Sequence, residues 1–78
     1  MIERNNTVFV ERYEYKNVSD LLNEILRRME GFNYHNGYAP TNLKITAEMY
    51  YKIREHDSSL IKFVKGDGAY IMGMKVVF

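Results

Sequence analysis

The segment from Val18 to Met29 carries a pattern that constrains the fold more than any other in the chain. Val18, Leu21, Leu22, Ile25, Leu26 and Met29 follow one another at i, i+3, i+4, i+7, i+8 and i+11. That spacing gathers apolar side chains along one side of a 3.6-residue turn. Ser19, Asp20, Asn23, Glu24, Arg27, Arg28 and Glu30 fill the opposite side. Asn17 suits the N-cap, and Asp20 suits the positive first turn. Glu24 and Arg28 form a favourable i,i+4 pair on the wet side. Arg27 and Arg28 complement the negative end of the dipole in the last turn, and Gly31 serves as C-cap. These features predict a helix over 18–30 whose greasy stripe must lie on another element.

The rest of the chain supplies strands for it to lie on. Thr7 to Tyr15 is rich in β-branched and aromatic residues and reads as a strand, with Phe9, Tyr13 and Tyr15 on one face and Val8 and Val10 on the other. Phe32 to Asn42 reads as a loop, because Asn36-Gly37 is a turn dipeptide and Pro40 holds Ala39 extended. Leu43-Lys44-Ile45 is a short strand that enters a second helix at Thr46, its N-cap, with Glu48 in the first turn. Met49, Tyr50 and Ile53 form that helix's apolar face, with Tyr50 expected buried and Tyr51 partly exposed. The helix fades near His56 to Ser59. Leu60 to Val64 is a strand, Gly66-Asp67-Gly68 a turn, and Ala69 to Phe78 a further strand with a bulge or break at Gly73. The expected class is therefore α/β (α+β), a single two-layer domain over 1–78 with a polar lead-in at 1–6. Its order is β-α-β-α-β-β, one sheet with both helices packed on it.

Size sets the next constraint. A chain of 78 residues buries only about 60% of its unfolded surface, so its margin of stability is narrow. Disulfides cannot help, because there is no cysteine, and the two histidines without a thiolate do not make a structural zinc site. Dense packing or self-association remains. An apolar fraction of 46% marks a folding chain. Eleven basic against ten acidic residues leave a net charge of +1, without the strongly basic footprint of many nucleic-acid binders. No apolar run reaches the roughly 18 residues of a membrane span, and the first residues lack the core of a signal peptide. The expectation is a cytoplasmic protein, in the host cytoplasm if viral.

Catalytic patterns are missing. His35 and His56 stand in separate segments without metal-ligand spacing, and Asp57 beside His56 does not complete a site. Gly66-Asp67-Gly68 matches no phosphate-binding fingerprint and reads as a hairpin turn. Lys62 and Lys65 near it suit a strand protected against edge-to-edge pairing. Ser19, Ser58 and Ser59 lack a nucleophile-elbow context. No enzyme, metal or cofactor is therefore expected.

The candidates for binding are aromatic. Phe32, Tyr34, His35 and Tyr38 share the segment before Pro40, and aromatic side chains outside a core bury large area on a partner at low entropy cost. Phe32 and Tyr38 either fold back onto the sheet or stay outside; Tyr34 and His35 are expected outside, and Tyr51 joins them as partner-binding. Arg27, Arg28, Lys52 and Arg54 could form a basic patch across the outer sides of the helices and hold a single nucleic-acid strand beside Tyr34 and Tyr51. Glu24, Glu30, Glu48 and Glu55 interleave with them, which equally describes an ordinary solvated face.

Pro40-Thr41-Asn42-Leu43-Lys44-Ile45-Thr46 leads a strand into a helix bearing Tyr50 and Tyr51, and Ile71-Met72-Gly73-Met74-Lys75-Val76-Val77 closes the chain. This half of the sequence resembles a strand–helix–hairpin segment of the major capsid fold of tailed bacteriophages, where a helix carrying an aromatic precedes a Gly-x-x-Val strand. The chain is far shorter than a capsid subunit. The resemblance implies a small phage or prophage protein, and such proteins often bind and block a host protein. The leading expectation is thus a small protein-binding module, a phage-encoded modulator or inhibitor of a host protein. The alternatives are a structural or assembly protein that associates with itself as a homo-oligomer through the terminal hairpin, and a nucleic-acid-binding accessory protein.

Overall fold

The computed structural model describes residues 6–78; the expected lead-in, apart from Asn6, lies outside the described residues. Five strands form one mixed sheet: β1 (Thr7–Phe9), β2 (Asn42–Lys44), β3 (Ile61–Val64), β4 (Gly68–Ile71) and β5 (Met74–Val77). Helices α1 (Val18–Asn36) and α2 (Ala47–His56) pack on it, and a 3-10 turn at Ser58–Leu60 leads into β3. The spatial order is β1-β2-β5-β4-β3. β1, β2 and β5 run parallel, while β3, β4 and β5 form an antiparallel meander. The expected α/β class and two-layer plan hold, with one strand more than expected. The break anticipated at Gly73 is a full reversal: Met72 and Gly73 take φ of 52° and 81°. Positive φ at both central positions is the signature of a type I′ hairpin loop, whose twist matches that of its strands.

Register decides which side chains face the helices. Val8, Leu43 and Val76 are direct neighbours across β1, β2 and β5, and Ile61, Ile71 and Met74 across β3, β4 and β5. These side chains, with Val10 and Ile45, meet Leu21 and Ile25 of α1 and Met49, Tyr50 and Ile53 of α2 in one core. Both helices therefore cover the same face of the sheet.

Three sequence expectations are corrected. The first strand ends at Phe9, not Tyr15, because the chain turns at once: the Tyr13 amide donates to the Val10 carbonyl at 2.9 Å. Tyr13 and Tyr15 instead pack beside the core from the connection. The first helix does not stop at Gly31. It continues through Phe32, Tyr34 and His35 to Asn36, so Arg27 and Arg28 lie mid-helix and the first part of the region expected as loop is helical. Gly37, at φ 76°, is the true C-cap, its amide bonded to the Asn33 carbonyl. Leu26, expected in the buried stripe, is exposed; the stripe is centred on Leu21 and Ile25, with Leu22 and Met29 at its margins. The N-caps are as expected: Asn17 accepts from the Asp20 amide and Thr46 from the Met49 amide.

Gly31 thus sits inside a helix and, its own helix backbone and chain neighbours aside, nothing stands within 4 Å of where a Cβ would be. A mid-helix glycine costs about 0.5–1 kcal/mol relative to alanine. Gly31→Ala should raise the denaturation midpoint by a corresponding amount in urea titration, whereas Gly37→Ala, forced into a left-handed conformation, should lower it.

Candidate functional site

The five residues expected to bind a partner fall into two groups. Phe32 packs against the core edge and meets Tyr38 ring-to-edge at 5.6 Å. Tyr34 is 86% exposed and its ring meets His35 at 5.4 Å, on the last turns of α1. Tyr51 is exposed on the early part of α2, touching Tyr50, which in turn meets Phe78. Because α1 ends where β2 begins and α2 starts where β2 ends, these groups lie towards opposite ends of the sheet. They do not form one patch.

The helix-borne cations are engaged within the fold. Glu24, expected on the solvated side, is buried, and its carboxylate takes hydrogen bonds from Arg27 at 2.6 Å and 3.0 Å and from Arg28. Arg28 also donates to the Phe9 carbonyl of β1 and lies over the Tyr13 ring at 5.6 Å. Tyr13 donates to Asp20, which raises the Tyr13 pKa above its ordinary value. Hydrogen bonds from Arg27 and then Arg28 hold the Glu24 carboxyl below the usual range. Lys52 pairs with Glu48 at 3.4 Å and stands over the Tyr15 ring at 5.4 Å. Of the four, Arg54 alone has no such contact described. Among the described residues no group of three or more metal-ligating side chains converges.

Two surfaces that the sequence reading did not single out emerge from the sheet. The first is the β3 edge. Phe63 points to the helix side, as Ile61 does, yet is 64% exposed because its row, Phe63 beside Ala69, lies beyond the buried row of Ile61, Ile71 and Met74. Val64 and Leu60 beside it are exposed too. An edge strand presents a row of backbone donors and acceptors without a neighbouring strand. At the other edge, Arg28 occupies a backbone acceptor of β1.

The second is the face opposite the helices. Thr7, Asn42, Lys75, Tyr70 and Lys62 stand in one row across all five strands, and Phe9, Lys44 and Val77 in the next. The charged residues of the described strands are Lys44, Lys62 and Lys75, and all three are on this face. Asp67, from the turn between β3 and β4, accepts from Tyr70 and from Lys75 at 3.1 Å. The Tyr70 contact and then Lys75 depress the Asp67 pKa, while the same bond raises that of Tyr70.

Comparison with family models, curated proteins and solved structures found no match. No helix among the described residues is long and apolar enough to cross a membrane.

Proposed function

We propose that this is a small non-catalytic binding protein that takes an extended segment of a partner protein alongside β3. The observation that supports it is the combination of a strand edge, paired by no described strand, with Phe63, 64% exposed, and Val64 beside it. Strand addition draws affinity from main-chain hydrogen bonds and specificity from alternate side chains. Here Phe63 would seat an apolar residue of the partner on one face, and Lys62 an acidic residue on the other. The resemblance of residues 40–78 to a tailed-phage capsid segment leads us to favour a host protein as the partner and modulation by occupancy as the mode of action.

Capture from bacterial lysate should test this with three baits: wild type, Phe63→Glu and Tyr34→Ala. Wild type and Tyr34→Ala should retain one protein at stoichiometric yield, and Phe63→Glu should lose it by on the order of tenfold, as for an aromatic hot spot. Loss with Tyr34→Ala alone would move the site to the end of α1. Concentration-dependent sedimentation abolished by Phe63→Glu would make the partner a second copy of this chain.

A further inference from the structure

The sheet sorts charge in a way the balanced composition conceals. Helix-side positions of the strands are apolar, and the opposite face carries three lysines with no carboxylate from any described strand. Tyr70 lies directly between Lys62 and Lys75 in the cross-strand row, and Lys44 stands one row away on β2. From β2 to β3 the lysines span three interstrand steps, about 14 Å at the usual spacing. Thr7, at the β1 margin, is buried, while Lys62 and Val64 at the β3 margin are exposed, so the open part of the face runs over β2, β5, β4 and β3.

We propose that this face binds single-stranded nucleic acid. Lysines that track a phosphate backbone, with aromatic rings set between them, are the arrangement that holds unpaired strands without reading sequence. Tyr70, the ring between Lys62 and Lys75, is half-buried within the sheet surface. That favours stacking on exposed bases over insertion into a lipid layer. A duplex hides its bases from such a surface and would meet the lysines alone. Asp67 ties down Lys75 and Tyr70 in the unbound protein, which orders both and leaves Lys44 and Lys62 as the cations on the face to which the described residues supply no acidic partner. The site is distinct from the helix-side patch of Arg27, Arg28, Lys52 and Arg54, whose first three members already hold glutamates.

Fluorescence anisotropy of a labelled oligothymidine strand tests the assignment. With two to three phosphates neutralised, binding should weaken by about tenfold between about 50 and 200 mM salt. A Lys44→Glu, Lys62→Glu double variant should weaken binding by about tenfold or more, because two released counterions become two repulsions. A Lys52→Glu, Arg54→Glu double variant makes the same charge change on the helix side and should leave affinity within about twofold. The salt series on the wild-type protein stands whether or not either variant folds. Absence of binding at the lower salt, equal loss in both variants, or tighter binding of the duplex of the same length would overturn the proposal. So would binding of anionic phospholipid vesicles by a protein that ignores the oligonucleotide.

Discussion

Ile25→Ala should bring the domain to the edge of unfolding. Ile25 has no exposed surface and belongs to the one core in which α1, through Ile25 and Leu21, meets the strands, through Leu43 and Ile71, and α2, through Ile53. Truncating a buried isoleucine costs about 2–5 kcal/mol, the upper part where neighbours cannot collapse into the space. Here those neighbours are held by five hydrogen-bonded strands and a second helix, so little relaxation is available. A domain of this size holds on the order of 5 kcal/mol in reserve, and no disulfide is present to limit the loss. Thermal melting by circular dichroism should show Tm falling by tens of degrees or the transition disappearing. Leu26→Ala, one residue on but exposed, should leave Tm close to wild type. Similar losses at both positions would mean that α1 is rotated relative to the sheet.

Arg28→Ala should be the most damaging change to a polar side chain. It removes one of the two cations on the buried Glu24 carboxylate, the donor to the Phe9 carbonyl and the cover over Tyr13. Hydrogen bonds to charged groups contribute about 1.5–3 kcal/mol, and an orphaned buried acceptor costs about 1–3. Arg28 is itself about a third exposed, and solvent screening puts the expected loss near 1–2 kcal/mol. The same cluster sets an acid dependence. Glu24 has its pKa depressed below the ordinary 4.5 by Arg27 and Arg28. Its stabilisation is therefore complete above that value and is lost as the pH falls through the lower, folded value. Asp57 and Asp67, also depressed, act in the same direction. Tm should fall on acidification below about pH 4.5. Glu24→Gln should start lower and fall less steeply; a variant with the full wild-type acid slope would remove Glu24 from the explanation.

Local chemistry announced much of this fold. Asn17 and Thr46 each place a short acceptor before an apolar periodicity, and both caps form as the sequence suggests. Gly31 misled, because its intrinsic cost is small beside the packing of Phe32 on the core and the better left-handed cap available at Gly37. The aromatic run Tyr13 to Tyr15 looked like strand because β propensity reports a half-buried surface, which these residues find beside the core without joining the sheet. The surfaces were harder to foresee. Lys44, Lys62 and Lys75 are each unremarkable in sequence, spread over 32 positions. Only the crossover that inserts β5 between β2 and β4 gathers them. Phe63 shares the helix-side alternation of Ile61, and its exposure follows from its row lying beyond the buried row of Ile61, Ile71 and Met74, which only the strand register reveals.

The account depends on the sheet having one side under both helices and one side left to its lysines. Adjacent residues of β5 report the two sides separately. In a methyl-labelled sample, nuclear Overhauser contacts should join Ile25 and Ile53 to the helix-side methyls of Val8, Leu43 and Ile71, with Val76 on the same side. Val77, together with the rings of Phe9 and Tyr70, should show no contact to either helix. Contacts from α1 or α2 to Val77 or Tyr70 would contradict the two-layer arrangement and, with it, both binding surfaces proposed for this protein.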